Sequence, residues 1–195
     1  MVAVMTLAGL SGLQAASNDR PVRLGISLAA GAFRADQGSV RSLYGVVQTP
    51  FHAQVDVFIL RRVSVFAGFR YLSSDGSTRI VGPVIAEEQH PLRLRVSSFR
   101  AGACVFIPAG RFMLQAAIGG SYSRVRERWL DLPLDAALGG PGLFARLGAG
   151  YPLGRNWEIF SRFEYSTLAT GEGSLLEPSV SLGGAEAVLG LMFKI

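Results

Sequence analysis

The strongest constraint in this sequence is an alternation of apolar residues with small or charged ones that recurs in eight segments. The last of them, 181–195, reads SLGGAEAVLGLMFKI. Ala185, Ala187, Leu189, Leu191, Phe193 and Ile195 fall on one side of an extended chain, and Gly184, Glu186, Val188, Gly190, Met192 and Lys194 on the other. Period two is the mark of a strand with two unlike faces. Segments 22–33, 51–60, 63–72, 92–107, 112–126, 143–151 and 157–169 split in the same way. In each, one face is apolar and the other collects charge, glycine and a few large apolar side chains. A chain with 49% hydrophobic and 17% charged residues has much apolar surface to place. No run approaches the roughly 20 apolar residues of a transmembrane helix, and in lipid only a closed barrel satisfies the backbones of strands. The predicted fold is therefore all-β: an eight-stranded antiparallel up-and-down transmembrane β-barrel with its apolar faces turned to lipid.

The connections alternate in length. Segments 34–49, 73–91, 127–141 and 170–180 are long, whereas 61–62, 108–111 and 152–156 are short. Short turns gather at the periplasmic end of an outer-membrane barrel and long loops at the outer end. Tyr71, Phe112, Tyr122, Tyr151, Trp157 and Tyr165 lie near strand ends, as two interfacial girdles require. On these features residues 22–195 resemble the small eight-stranded outer-membrane β-barrel family, the group of OmpA-type transmembrane domains and OmpX- or OmpW-like proteins. The terminal strand is similar to that family's assembly signal, with Gly190, Phe193 and Ile195 in place, although the family usually ends in Phe or Trp. The resemblance implies integral residence in the outer membrane of a Gram-negative-type cell, contact with its lipid and delivery by the outer-membrane assembly machinery.

Residues 1–16, MVAVMTLAGLSGLQAA, read as the apolar region and cleavage zone of a secretory signal, with Ala15 and Ala16 at the processing site. That leaves 17–195 as one barrel domain. The chain stops on its last strand, so no periplasmic domain is expected to follow. The single Cys104 excludes an internal disulfide framework. The net charge of +5 comes from arginines scattered along alternating strands, which builds no nucleic-acid surface. One Cys and two distant His residues cannot supply tetrahedral metal ligation. The glycine-rich stretches GAGYPLG and GGPG lack the strand-to-helix setting of a phosphate loop. Neither metal nor cofactor is expected.

Two regions remain for function. Strand phase points Arg23, Arg70, Arg100, Arg146, Arg162 and Lys194 into the lumen, against Asp56, Glu158, Glu164 and Glu186. Phe33, Phe58, Phe66, Phe106, Phe144 and Phe160 share that interior, with His52 and Cys104 as further filling. An eight-stranded barrel is only wide enough for side chains to fill, so a plug of ion pairs and rings is expected rather than a channel.

The second region is the outer rim. Pairing Ile107 with Phe112 across the turn 108–111 sets Arg95 opposite Arg124 and Arg93 opposite Arg126, with Arg128 beyond; the plainer alternative is a solvated rim with Glu127 as partial partner. Like charges directly opposite destabilise a strand pair, and Arg suits bidentate phosphate binding. These five arginines are the candidate contact for lipopolysaccharide phosphates, and the long loops offer a surface to an extracellular ligand.

The expected role is non-enzymatic: envelope structure or surface interaction. One alternative is an enzyme that modifies lipid A or phospholipid, for which Ser73, Ser74, Asp75 and His90 are the available nucleophiles and bases. Another is a soluble lipocalin-like barrel with the apolar faces turned inward around a ligand.

Overall fold

The computed structural model describes residues 23–80, 88–168 and 182–195; the signal-like residues 1–16, the Gly82-Pro83 turn and the loop 170–180 lie outside them. Eight strands run in chain order around a closed antiparallel barrel. They are β1 (Arg23–Ala35), β2 (Pro50–Leu60), β3 (Val63–Ile80), β4 (Glu88–Ala109), β5 (Phe112–Trp129), β6 (Asp135–Pro152), β7 (Trp157–Ser166) and β8 (Gly184–Lys194). The terminal alternating stretch closes the barrel, because β8 pairs with β7 on one side and with β1 on the other, through Phe163↔Ala187 and Ala32↔Ala187. Every strand has two partners, so no edge is left open.

The lipid-facing belt follows from the sequence phase. Leu28, Phe99, Ile118, Leu143, Leu147 and Leu189 all point outward and are exposed, Phe99 by 69% and Ile118 by 71%. Arg70, Arg100, Arg146, Arg162 and Glu164 are buried within. The soluble inside-out arrangement is thereby overturned, since an aqueous exterior would have to solvate a continuous wall of Leu, Ile, Val and Phe. Aromatic contacts mark the short-turn end of the belt: Phe112 with Tyr151 at 5.6 Å between ring centroids, and Trp157 with Phe193 at 4.9 Å.

The strands extend further than the alternation predicted. A membrane strand needs about 9–11 residues, whereas β4 has 22 and β3, β5 and β6 have 18 each. Most of the expected loops 73–91 and 127–141 is ladder, with pairs out to Ile80↔Glu88 and Arg128↔Asp135. Asp75-Gly76, a turn signal by composition, lies inside β3. The physical reason is an inversion of polarity along one unbroken phase. Within the belt the inward side is polar and the outward side apolar. Beyond it Leu72, Leu92, Leu94, Val96, Val125 and Leu138 point inward and are buried. Ser73, Arg95, Arg124 and Arg126 point outward and are exposed. Above the lipid, these strands behave as ordinary water-facing strands around an apolar core.

That upper core is capped by an element the sequence did not betray. The 34–49 connection contains a seven-residue helix, α1 (Gly38–Tyr44), ended by Gly45 at φ 91°. Val40 and Tyr44 are buried in the cluster with Phe33, Leu72, Leu92, Trp129 and Leu182. Gly76 admits the helix, since a Cβ there would stand 2.1 Å from the Leu43 carbonyl oxygen.

Candidate functional site

Inside the belt the described lumen charges converge. Arg70 Nε donates to Glu186 Oε2 at 2.9 Å, and His52 Nε2 is hydrogen-bonded to Glu186 Oε1. Arg100 donates to Glu164. Glu158 accepts from Gln115 Nε2 at 2.8 Å and from Lys194 Nζ at 2.5 Å. Asp56 accepts from Gln54 Nε2 at 2.7 Å and from Ser64 Oγ at 3.1 Å. Arg146 and Arg162 instead donate to amide oxygens, Arg146 Nη1 to Gln54 Oε1 at 2.7 Å and Arg162 Nε to Gln115 Oε1 at 3.1 Å. Gln54 and Gln115 were missed as members of the network. Gln54 shared the inward phase of Asp56, two residues on, and that was the signal available.

Each buried arginine also lies on a phenylalanine ring: Arg70 on Phe33, Arg100 on Phe144, Arg146 on Phe66 and Arg162 on Phe160, with guanidinium carbons 3.8–4.5 Å from the ring centroids. Cation–π contact of this kind favours the charged form while the alkyl stems pack. Cys104 is buried with Phe66, Phe106 and Phe144. The lumen is a packed plug; the cavity left among these side chains measures about 20 Å³, room for about one water molecule. The Arg23 side chain lies outside the described set.

At the outer mouth, Tyr44 Oη donates to Glu127 Oε1 at 3.1 Å, and Ser74 Oγ donates to the Tyr44 carbonyl at 2.9 Å. Burial, reinforced by the Glu127 carboxylate, pushes the Tyr44 phenol well above its ordinary value. Glu127 is 3% exposed. It faces the interior and is not the rim counter-charge of the solvated alternative, because it alternates with Arg126 and Arg128 along β5.

The rim arginines do keep the outward phase, but their partners differ from those inferred. Gly110 at φ 63° makes a two-residue turn, so Ala109 pairs with Phe112 and Ile107 with Leu114. The register moves by two. Arg95 stands opposite Arg126, Arg93 opposite Arg128, and Arg124 opposite Ser97. Arg93 is held by Asp75 across the β3–β4 ladder, with Nε at 2.6 Å from Oδ1 and Nη2 at 3.2 Å from Oδ2. The hydrogen bond from Arg93 keeps the Asp75 carboxyl below the usual carboxylate range. Arg128 lies 3.6 Å from Asp135. Among the described residues no carboxylate makes an ion pair with Arg95, Arg124 or Arg126.

The residues weighed as a lipid-modifying set are not brought together. Ser73 and Asp75 face outward and Asp75 is bound to Arg93, while Ser74 faces inward onto α1. His90, opposite Thr78 in the ladder, bonds through Nδ1 to Asp131 Oδ2 at 2.7 Å and packs on the Trp129 ring at 5.3 Å. Among the described residues no group of three or more His, Cys, Asp or Glu side chains is placed to hold a metal ion.

No protein-family model matches the chain, and no curated protein matches it. Its fold does match solved structures. The attachment invasion locus protein Ail of Yersinia pestis aligns at a TM-score of 0.55 and 13% identity, over 90% of this chain and 100% of that one. Neisserial surface protein A aligns at 0.56 and 14%, over 89% and 97%. The N-terminal β-barrel domain of Pseudomonas aeruginosa OprF aligns at 0.52 and 10%, over 90% and 100%. Strand number, strand order, short turns at one end and an apolar exterior that only a bilayer can cover make this chain a membrane-spanning eight-stranded barrel with the fold of these small outer-membrane proteins.

Proposed function

We propose that the protein is a non-enzymatic integral barrel whose outer rim binds the phosphates of lipopolysaccharide through Arg93, Arg95, Arg124, Arg126 and Arg128. The observation that carries this reading is the face-to-face pair Arg95 and Arg126, flanked by Arg124, with no carboxylate ion-paired to any of the three among the described residues. Two cations directly opposite in a ladder repel, and an anion between them reverses the sign of that contact. Their height fits, because Arg124 lies on the outward level next above Phe99 and Tyr122, shared with Tyr71, and the Arg95–Arg126 pair on the level above that. A structural neighbour adds support by chemistry: Ail of Yersinia pestis has been crystallised with the heparin analogue sucrose octasulfate, a sugar bearing anionic groups. Binding of the refolded barrel to intact and to dephosphorylated lipopolysaccharide tests the reading. Wild type should prefer the phosphorylated form and lose affinity as salt rises. Arg95→Gln with Arg126→Gln should remove most of that preference while the heat-shifted gel band of the folded barrel persists. Equal binding of the two lipopolysaccharides by wild type would sink the proposal.

The enzymatic alternative has one observation in its favour, the His90–Asp131 hydrogen bond at the outer mouth. Mass spectrometry of lipid A with and without expression discriminates the two, since an altered acyl pattern belongs only to the enzyme. Delivery by the outer-membrane assembly machinery is part of the proposal, resting on the terminal strand with Gly190, Phe193 and Ile195.

A further inference from the structure

The lumen network is saturated with hydrogen bonds at some members and deficient at others. Arg70, Arg100 and Lys194 each meet a carboxylate. Arg146 and Arg162 are 94% and 92% buried respectively, from exposures of 6% and 8%. Their hydrogen bonds run to the neutral oxygens of Gln54 and Gln115, and among the described residues neither guanidinium has an ion-pair partner. Arg146 also keeps Nε and Nη2 without an acceptor. Asp56, Glu158 and Glu164 act on the pair from a distance, but a cation this deeply buried with no carboxylate in direct contact is disfavoured. The Phe66 and Phe160 rings beneath these two arginines offset part of the cost, but ring faces do not accept the in-plane N–H groups of a guanidinium.

Arg146 and Arg162 line one cavity, together with Gln54, Phe66, Arg100 and Glu164. Three guanidiniums face a single carboxylate there, and Glu164 is already the partner of Arg100. The cavity measures about 20 Å³, which admits one water-sized particle. A carboxylate ligand or a phosphate is too large for it, and a cation is excluded by the surrounding charge. We propose that this cavity is a binding site for a small monovalent inorganic anion of chloride size, held by Arg146 and Arg162 with Arg100 alongside. The anion supplies the negative charge in direct contact that the glutamines do not, and it accepts from the Nε and Nη2 groups of Arg146. It also joins the plug across the barrel, from β4 (Arg100) through β6 (Arg146) to β7 (Arg162).

The test uses the whole refolded barrel in detergent, equilibrated at one ionic strength with sodium chloride, sodium bromide or sodium gluconate. Gluconate is the control anion, too large for the cavity. A ligand that binds only the folded state raises its stability in proportion to occupancy, so the temperature at which the folded gel band is lost should rise by several degrees in chloride and bromide over gluconate. Arg146→Gln should abolish that difference, which separates a bound anion from a general salt effect common to both proteins. Crystals grown in bromide should show anomalous scattering between Arg146 and Arg162, a readout that holds even if the variant does not fold. The proposal is overturned by a wild type indifferent to the anion, by an equal anion effect in Arg146→Gln, or by a cavity without bromide signal.

Discussion

Two carboxylates, Glu164 and Asp75, behave oppositely because of where their strands put them. Glu164 is 4% exposed and partnered by Arg100, so Glu164→Gln strands a buried guanidinium and should cost roughly 3–5 kcal/mol, measured by denaturant unfolding of the refolded barrel. Asp75, bonded to Arg93 on the open outer face, should change stability little when replaced by Asn. It should instead raise affinity for phosphorylated lipopolysaccharide by releasing Arg93. The pH dependence has a fixed sign. Because the folded Asp75 carboxyl is lowered, the ion pair contributes fully above the ordinary carboxylate value of about 4 and is lost only as pH falls through the lower folded value. Wild-type binding should therefore approach that of Asp75→Asn only in acid, and constant affinity down through that range would refute the role of Asp75. The sequence disclosed the direction of every described lumen charge, because direction needs only the period of a strand. It did not disclose partners. Arg70 meets Glu186 from β8, and Arg146 meets Gln54 from β2; such pairs depend on how far the sheet is sheared before it closes.

At the scale of elements, the strand count and the belt were legible and the upper storey was not. Strand phase continues from Phe69 through Tyr71 to Ser73 and Asp75 without a break, but the apolar set changes sides there. A reading that follows only the apolar face ends the strand at Leu72. The same change hid the extensions of β5 and β6, and the two-residue turn at Gly110 hid the rim register. Helix α1, with seven residues, spans about two turns, too few for a 3.6-residue period to declare itself. Its anchor is Tyr44, and Tyr44→Ala should cost roughly 3–5 kcal/mol by analogy with other large-to-small changes at aromatic core positions. Gly76→Val should expel the helix more selectively, because its Cβ collides with the Leu43 carbonyl. A cysteine introduced at Val40 should react with a thiol reagent slowly in the parent barrel and quickly in Gly76→Val; equal rates would mean that α1 does not seal the mouth.

For the molecule as a whole, one chain carries two solvents' worth of instructions. Ile118, midway along the outward face of β5 between Phe112 and Tyr122, is set for hydrocarbon. Ile118→Arg should destabilise by about 2–4 kcal/mol in a bilayer. The ends are as unlike as the faces. The short turns hold exposed Arg61, Arg62, Arg111 and Arg155, while the other end projects four long strands around a folded cap, two of which, β4 and β5, carry Arg93, Arg95, Arg124, Arg126 and Arg128. That difference governs how the barrel gets into place. A protein entering the membrane from the short-turn side must push its tall end through the oil, arginines leading, whereas the turns never leave the near bank. Passage should then be the slow event, and a vesicle assay should time it. Arg95→Gln with Arg126→Gln should hasten insertion, and Arg61→Gln with Arg62→Gln should leave its pace unchanged.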